Sequence, residues 1–133
     1  MISFSCLKIA VLGLTFKPGT DDLREAPALD NVNLLLEAGG NIFAYDPVGT
    51  ANFKKCYPEG RVKNGSIYYT DTPEKALKDA NICFIFTEWK EIREIRPTQY
   101  YDLMQTPLVY DGRNIYELND MKNARVEYHS IGR

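Results

Sequence analysis

Histidine occurs once, tryptophan once and cysteine three times in 133 residues. His129 has no serine, cysteine or second histidine at a spacing that builds a catalytic pair, so it reads as having no catalytic role. Cys6, Cys56 and Cys83 form no CxxC pair and are odd in number, which leaves no disulfide framework and no zinc site. They read as structural bystanders of a reducing cytoplasm, Cys83 as a buried thiol within "NICFIFTE". No metal-ligand cluster and no nucleophile elbow occurs. No apolar stretch approaches the roughly 18–20 residues that span a bilayer. The opening "MISFSCLKIAVLG" lacks the basic start and cleavage pattern of a secretory signal, and its apolar part reads as a strand. Excess charge of one sign is missing too: 16 Lys and Arg against 18 Asp and Glu give a formal net charge of −2. That excludes broad electrostatic binding to nucleic acid or an anionic membrane, so an anionic ligand needs local cations.

What is present is ordinary globular composition, 44% hydrophobic and 26% charged, at a length that buries one core. Strand and helix signals alternate. "LKIAVLGLTF" (residues 7–16) is a buried strand. Pro27 opens a helix whose Leu29, Val32, Leu35 and Leu36 share a face and which Gly39-Gly40 ends. "NIFAYDP" is a second strand stopped by Pro47. Residues 48–65 are polar and hard to assign, with "GTANFKKCY" suited to a short helix. "SIYYT" reads as a strand, "TPEKALKDA" as a helix capped by Thr72, and "NICFIFTE" as a strand buried on both faces. Helical segments around Lys90–Ile95 and Thr98–Met104 are separated by Pro97, and "PLVYDGRN" and "RVEYHSIG" supply further strands. The expected fold is α/β: a Rossmann-like, doubly wound, mainly parallel sheet of five to six strands with helices on both faces. Its ligand crevice lies beyond the carboxyl ends of the strands, in the loops after Phe16, Asp46, Thr87 and Asp111.

The loop after the first strand is "GLTFKPGTDDLREAP", without the GxGxxG that lets a backbone approach a pyrophosphate; a complete NAD site here is not expected. Pro18 holds Lys17 out of helical geometry, projecting its ammonium, and Arg24 offers a planar fork for phosphate or carboxylate. The residues themselves leave open whether these cations hold a ligand or pair with Asp21, Asp22 and Glu25. Arg113 in "VYDGRN" is a second cation on the same edge, oriented by Asp111 and freed by Gly112, or else a surface arginine in a turn. Two cations converging on one crevice suit a diphosphate. Trp89 in "TEW" reads as packing rather than base stacking, and Asp46 is a weak candidate for reading ribose because its spacing from Gly13 exceeds the usual ~20 residues.

Taken in order, "KIAVLGLTFKPGTDDLREAPALDNVNLLLEAGGNIFAYDP", "FTEW", "VYDGRN" and "YHSIGR" resemble the C-terminal, UDP-binding domain of the UDP-glucose/GDP-mannose dehydrogenase family over nearly the whole chain. "FKPGTDDLRE" is the specific segment; the others are weak singly. The resemblance implies one domain over residues 1–133, belonging to an enzyme of polysaccharide biosynthesis. Such enzymes oxidise the C6 hydroxyl of a nucleotide sugar to a carboxylate with two NAD+ and a cysteine-bound thiohemiacetal. It implies that Phe16, Lys17, Pro18, Gly19, Thr20, Asp21, Asp22, Leu23 and Arg113 bind the nucleotide sugar, UDP-glucose above the alternatives, and that Arg24 reaches NAD held by another domain. The family's NAD-binding and central dimerisation domains, with the catalytic cysteine, lie outside this chain, so it is expected to be inactive by itself and to work within a homo-oligomer with those domains. The other reading is a free-standing Rossmann-like nucleotide-binding or interaction module.

Overall fold

The computed structural model describes residues 7–131; Cys6 and the end of the "YHSIGR" stretch lie outside them. In chain order the elements are β1 (Lys8–Leu12), α1 (Pro27–Glu37), β2 (Asn41–Tyr45), α2 (Thr50–Cys56), β3 (Gly60–Val62), β4 (Gly65–Tyr69) and α3 (Pro73–Leu77). They continue with β5 (Ile82–Ile85), α4 (Lys90–Arg93), α5 (Pro97–Leu103), β6 (Leu108–Asp111), α6 (Leu118–Asn123) and β7 (Glu127–Ser130). The described strands form one sheet in the order β3-β4-β2-β1-β5-β6-β7, parallel throughout except β3. The doubly wound expectation holds, with seven strands instead of five or six.

The seventh strand is β3, within residues 48–65. Its hairpin with β4 turns through Lys63 and Asn64, Lys63 taking φ +54°. The signal for it was the Asn64-Gly65 pair directly ahead of "SIYYT". α6 was also unforeseen: among its residues only Met121 is buried, too little for a helical period to show. Pro97 does not merely separate two helices; it occupies the first position of α5, where its missing N–H costs nothing. Thr72 caps α3 as expected, its Oγ1 accepting from the Lys75 amide at 3.2 Å.

Connections fix which face each helix covers. α1 and α2 pack on Ile9, Val11, Ile42, Ala44 and Ile67. The helices α3 to α6 cover the other face around Leu12, Cys83, Ile85 and Val109. Right-handed crossovers running outward from β1 in opposite directions must lie on opposite faces. On the α1 face, therefore, the start of α1 borders a cavity of about 540 Å³ over Phe84, Phe86 and Tyr110. Phe84 there is half-buried rather than sealed, correcting the expectation of a strand covered on both sides. Phe84 stacks on Phe86 and Tyr110, and Tyr110 on His129. No described helix is long and apolar enough to cross a membrane.

β1 ends at Leu12, four residues earlier than its apolar run suggests. Gly13 turns the chain at φ +91°, and a Cβ there would stand 2.5 Å from the Thr87 amide nitrogen and Cβ. Gly13→Ala combines left-handed strain with that overlap and is expected to cost about 2–4 kcal/mol in chemical denaturation. Gly19→Ala, at φ +85° with nothing within 4 Å, carries only the strain and is expected to cost about 1 kcal/mol.

Candidate functional site

Leu12 pairs with both Tyr45 and Ile85, and Ile85 with Asp111, so the ends of β1, β2, β5 and β6 align along one edge. The sheet reverses its direction of growth at β1, which makes the gap between the loops after β1 and β5 the switch-point crevice. The loop after β1, residues 13–26, is held against this edge from below and knitted within itself.

The hold from below is Asp46, 5% exposed at the end of β2. Its Oδ2 accepts from the Leu14 amide at 2.8 Å and from Trp89 Nε1 at 3.0 Å. Its Oδ1 accepts from the amides of Val48 at 2.8 Å and Gly49 at 2.6 Å. A buried carboxylate with this many donors is a structural anchor with no spare lone pair for ribose. Trp89 is packing, as expected, and its N–H is shared between Asp46 and Thr15 Oγ1 at 3.2 Å.

Three successive carbonyls then receive side-chain donors. Thr15 O accepts from Thr87 Oγ1 at 2.6 Å, Phe16 O from Arg113 Nη2 at 2.6 Å, and Lys17 O from Thr15 Oγ1 at 3.2 Å. Arg113 also donates from Nε to Phe86 O at 2.8 Å, and its Nε stands 3.7 Å from Glu88 Oε2. Asp111 orients the arginine through the Arg113 amide at 2.7 Å and is itself fixed by the Ile115 amide and the Tyr128 hydroxyl. Two of the five guanidinium donors are thereby committed to backbone; the other three have no described protein partner.

The expected site residues divide accordingly. Phe16, Lys17 and Arg113 come together through the 2.6 Å bond to the Phe16 carbonyl. The Lys17 side chain is exposed and has no ion-pair partner among the described residues. Pro18 and Gly19 form the turn beyond it. Thr20 Oγ1 accepts from the Asp22 amide, and Asp22 O accepts from the Phe16 amide at 3.0 Å, closing the loop. Asp21 takes both its bonds from Asn52 Nδ2 on α2. Leu23 packs against the core. Arg24 does not join the two cations: it binds Asp22, Nη2 to Oδ2 at 2.9 Å and Nε to both oxygens, and is 89% exposed. That bonding pulls the Asp22 carboxyl down to about 2, with Lys17 adding a smaller pull. The residues that the sequence reading assigned no part in the site are Thr87, Thr15 and Asn52. The first two follow strand ends, which was the only signal available.

This edge does not form a dinucleotide cradle. Where a fingerprint glycine would admit a pyrophosphate, Gly13 is filled by Thr87, and fourteen residues separate β1 from α1. No group of three or more His, Cys, Asp or Glu among the described residues could hold a metal ion. Cys83 is sealed in the core, where burial pushes its thiol well up and keeps it protonated; Cys56 is exposed on α2. The edge thus carries Arg113, bonded to the Phe16 carbonyl, and the exposed Lys17 that follows it in the loop.

Residues 10–118 match the model of the UDP-glucose/GDP-mannose dehydrogenase family, UDP binding domain. The chain is 42% identical to UDP-glucose 6-dehydrogenase YwqF of Bacillus subtilis over 125 residues, which are 94% of this chain and 27% of that protein. It is 41% identical to UDP-glucose 6-dehydrogenase TuaD of the same organism over 127 residues, 94% of this chain and 26% of that protein. The solved UDP-D-ManNAc dehydrogenase of Pyrococcus horikoshii superposes with a TM-score of 0.74 at 28% identity, across 99% of this chain and 27% of that one. The chain thus spans about a quarter of the length of these relatives. With its switch-point loop and Arg113 both inside the matched residues, the chain belongs to the UDP-glucose/GDP-mannose dehydrogenase family, as its UDP binding domain.

Proposed function

We propose that this chain is the C-terminal substrate-binding domain of an NAD-dependent UDP-glucose 6-dehydrogenase, completing the nucleotide-sugar site without catalysing the oxidation by itself. The observation that carries the reading is the bond from Arg113 to the carbonyl preceding Lys17, which ties the second cation to the backbone of the loop that bears the first. A diphosphate there meets an unpartnered ammonium and three guanidinium donors, an arrangement that charge-assisted hydrogen bonding favours. Phe16, 40% exposed, offers a ring beside them, and Pro18 to Leu23 shape the lid above. The redox half of the reaction belongs to parts outside these residues: an NAD-binding domain and a central domain bearing the catalytic cysteine. The filling of Gly13 by Thr87 and the protonated state of the core thiol Cys83 fit this division. Arg24 is the group of this chain that reaches NAD, exchanging its Asp22 partner for a cofactor phosphate or carboxamide. The working form is a cytoplasmic homo-oligomer serving polysaccharide biosynthesis, with UDP-glucose as the substrate, a reading supported by the name of the two Bacillus subtilis relatives.

Titration calorimetry of this chain with UDP tests the reading. Lys17→Ala is expected to weaken UDP binding about tenfold and flatten its salt dependence while leaving the melting temperature unchanged. Arg113→Ala is expected to weaken it as much and also to lower stability by about 1–3 kcal/mol, since two carbonyls lose their donor. Full UDP affinity in both variants would overturn the assignment, and NADH formation from UDP-glucose by the chain itself would overturn the division of labour. A carbon-detected titration of Asp22 examines Arg24. The Asp22 pKa lies below its ordinary 3.8, so its pairing contributes fully above about pH 4 and is lost as pH falls through 2. The midpoint is expected near 2 and to rise toward 3.8 in Arg24→Ala.

A further inference from the structure

The three carbonyls that precede Pro18 are bonded by side chains from three places: Thr87 after β5, Arg113 after β6, and Thr15 within the loop itself. Thr87 is fully buried, its hydroxyl donates at 2.6 Å to Thr15 O, and its backbone fills the space beside Gly13. It touches no exposed surface and belongs to the "TEW" stretch that anion binding does not use. Its hydroxyl donates to the loop where Thr15 passes over the end of β5. Thr15 in turn carries the Lys17 carbonyl and shares the Trp89 N–H with Asp46, so loss of the Thr87 bond frees the first link of a chain that ends at Lys17. The backbone of residues 15–17 is therefore fixed at every carbonyl while the Lys17 ammonium is left in solvent.

We propose that Thr87 is a positioning residue: its buried hydroxyl holds the Thr15 carbonyl so that the loop presents Lys17 to the diphosphate of the nucleotide, and it acts through Lys17 without contacting the ligand. This rests on the UDP-binding reading above. A fixed backbone spares the ligand the cost of ordering the lysine's main chain on binding, which is how a residue remote from the phosphate affects affinity.

The experiment uses the 133-residue chain, UDP as the probe, and the variants Thr87→Val, which removes the hydroxyl at constant shape, and Thr87→Ser, which keeps it. In the absence of UDP, amide exchange and 15N relaxation report on Phe16, Lys17 and Gly19. Thr87→Val is expected to loosen these amides and Thr87→Ser to restore them. With UDP, Thr87→Val is expected to weaken binding about fivefold, and to have no further effect in a Lys17→Ala background, the non-additivity of residues that act as one unit. If Thr87→Val does not fold, Thr15→Val removes the donor to the Lys17 carbonyl and is held to the same two readouts. Unchanged loop amides in the valine variant overturn the positioning role whatever UDP does. An equal loss of affinity with and without Lys17 overturns it as well, since a general weakening of the fold would not depend on the lysine. Loosened amides in a chain whose wild type binds no UDP leave the loop clamp standing and overturn the UDP-binding reading instead.

Discussion

The carboxylate of Asp46 joins three strand ends. From β2 it receives the amide of Leu14 after β1, the indole of Trp89 after β5, and the amides of Val48 and Gly49 that begin its own connection to α2. A carboxylate this deeply buried is tolerable only when its lone pairs are filled, and here each donor comes from a segment that must be in place for the others to be. The consequence is cooperative. The loop after β1 cannot leave the sheet edge without stranding the acid, and the connection after β5 cannot move without stranding the tryptophan. Asp46 is thus a shared hold for the loops of the crevice.

Above that anchor the charged loop spends most of its charge on itself. Asp22 binds Arg24, Asp21 is taken up by Asn52, and the Phe16 amide closes onto Asp22 O. Lys17 and Glu25 have no ion-pair partner among the described residues, and Lys17 is the cation of the two. A lysine whose side chain stands in solvent while its backbone is bonded at each neighbouring carbonyl differs from an ordinary surface lysine, whose main chain and side chain are equally unconstrained. Arg113 shares this character in a different way, giving two donors to backbone and keeping three. Both cations have a fixed backbone, Arg113 with Glu88 at 3.7 Å and Lys17 with no ion-pair partner among the described residues, in a molecule whose overall charge is slightly negative.

The uncovered part of the sheet has a separate cause. Winding outward from β1 in both directions assigns α1 and α2 to one face and α3 to α6 to the other. On the α1 side, β5 and β6 consequently carry the stacked rings of Phe84, Phe86, Tyr110 and His129 beside the start of α1. The apolar run of β5 looked like a strand sealed on both faces because composition reports how apolar a segment is and not which helices reach it.

Local chemistry determined much of this protein in the sequence itself. Pro27 and Gly39 bound α1, Thr72 caps α3, Pro18 turns the chain after Lys17, and the alternation of apolar runs with helical periods dictates a parallel doubly wound sheet. The rule that ligands meet the carboxyl ends of such strands singles out Lys17 and Arg113 from the sequence alone. The tertiary structure decided what those residues are bonded to. Whether Asp46 reads a sugar or anchors a loop, and whether Thr87 matters at all, depend on contacts between residues 30 to 100 positions apart, as in the Leu14–Asp46 and Phe16–Arg113 bonds. Sequence periodicity carries no record of such separations, because a hydrogen bond is set by distance in space and the sheet brings those strand ends together only once its whole order is formed.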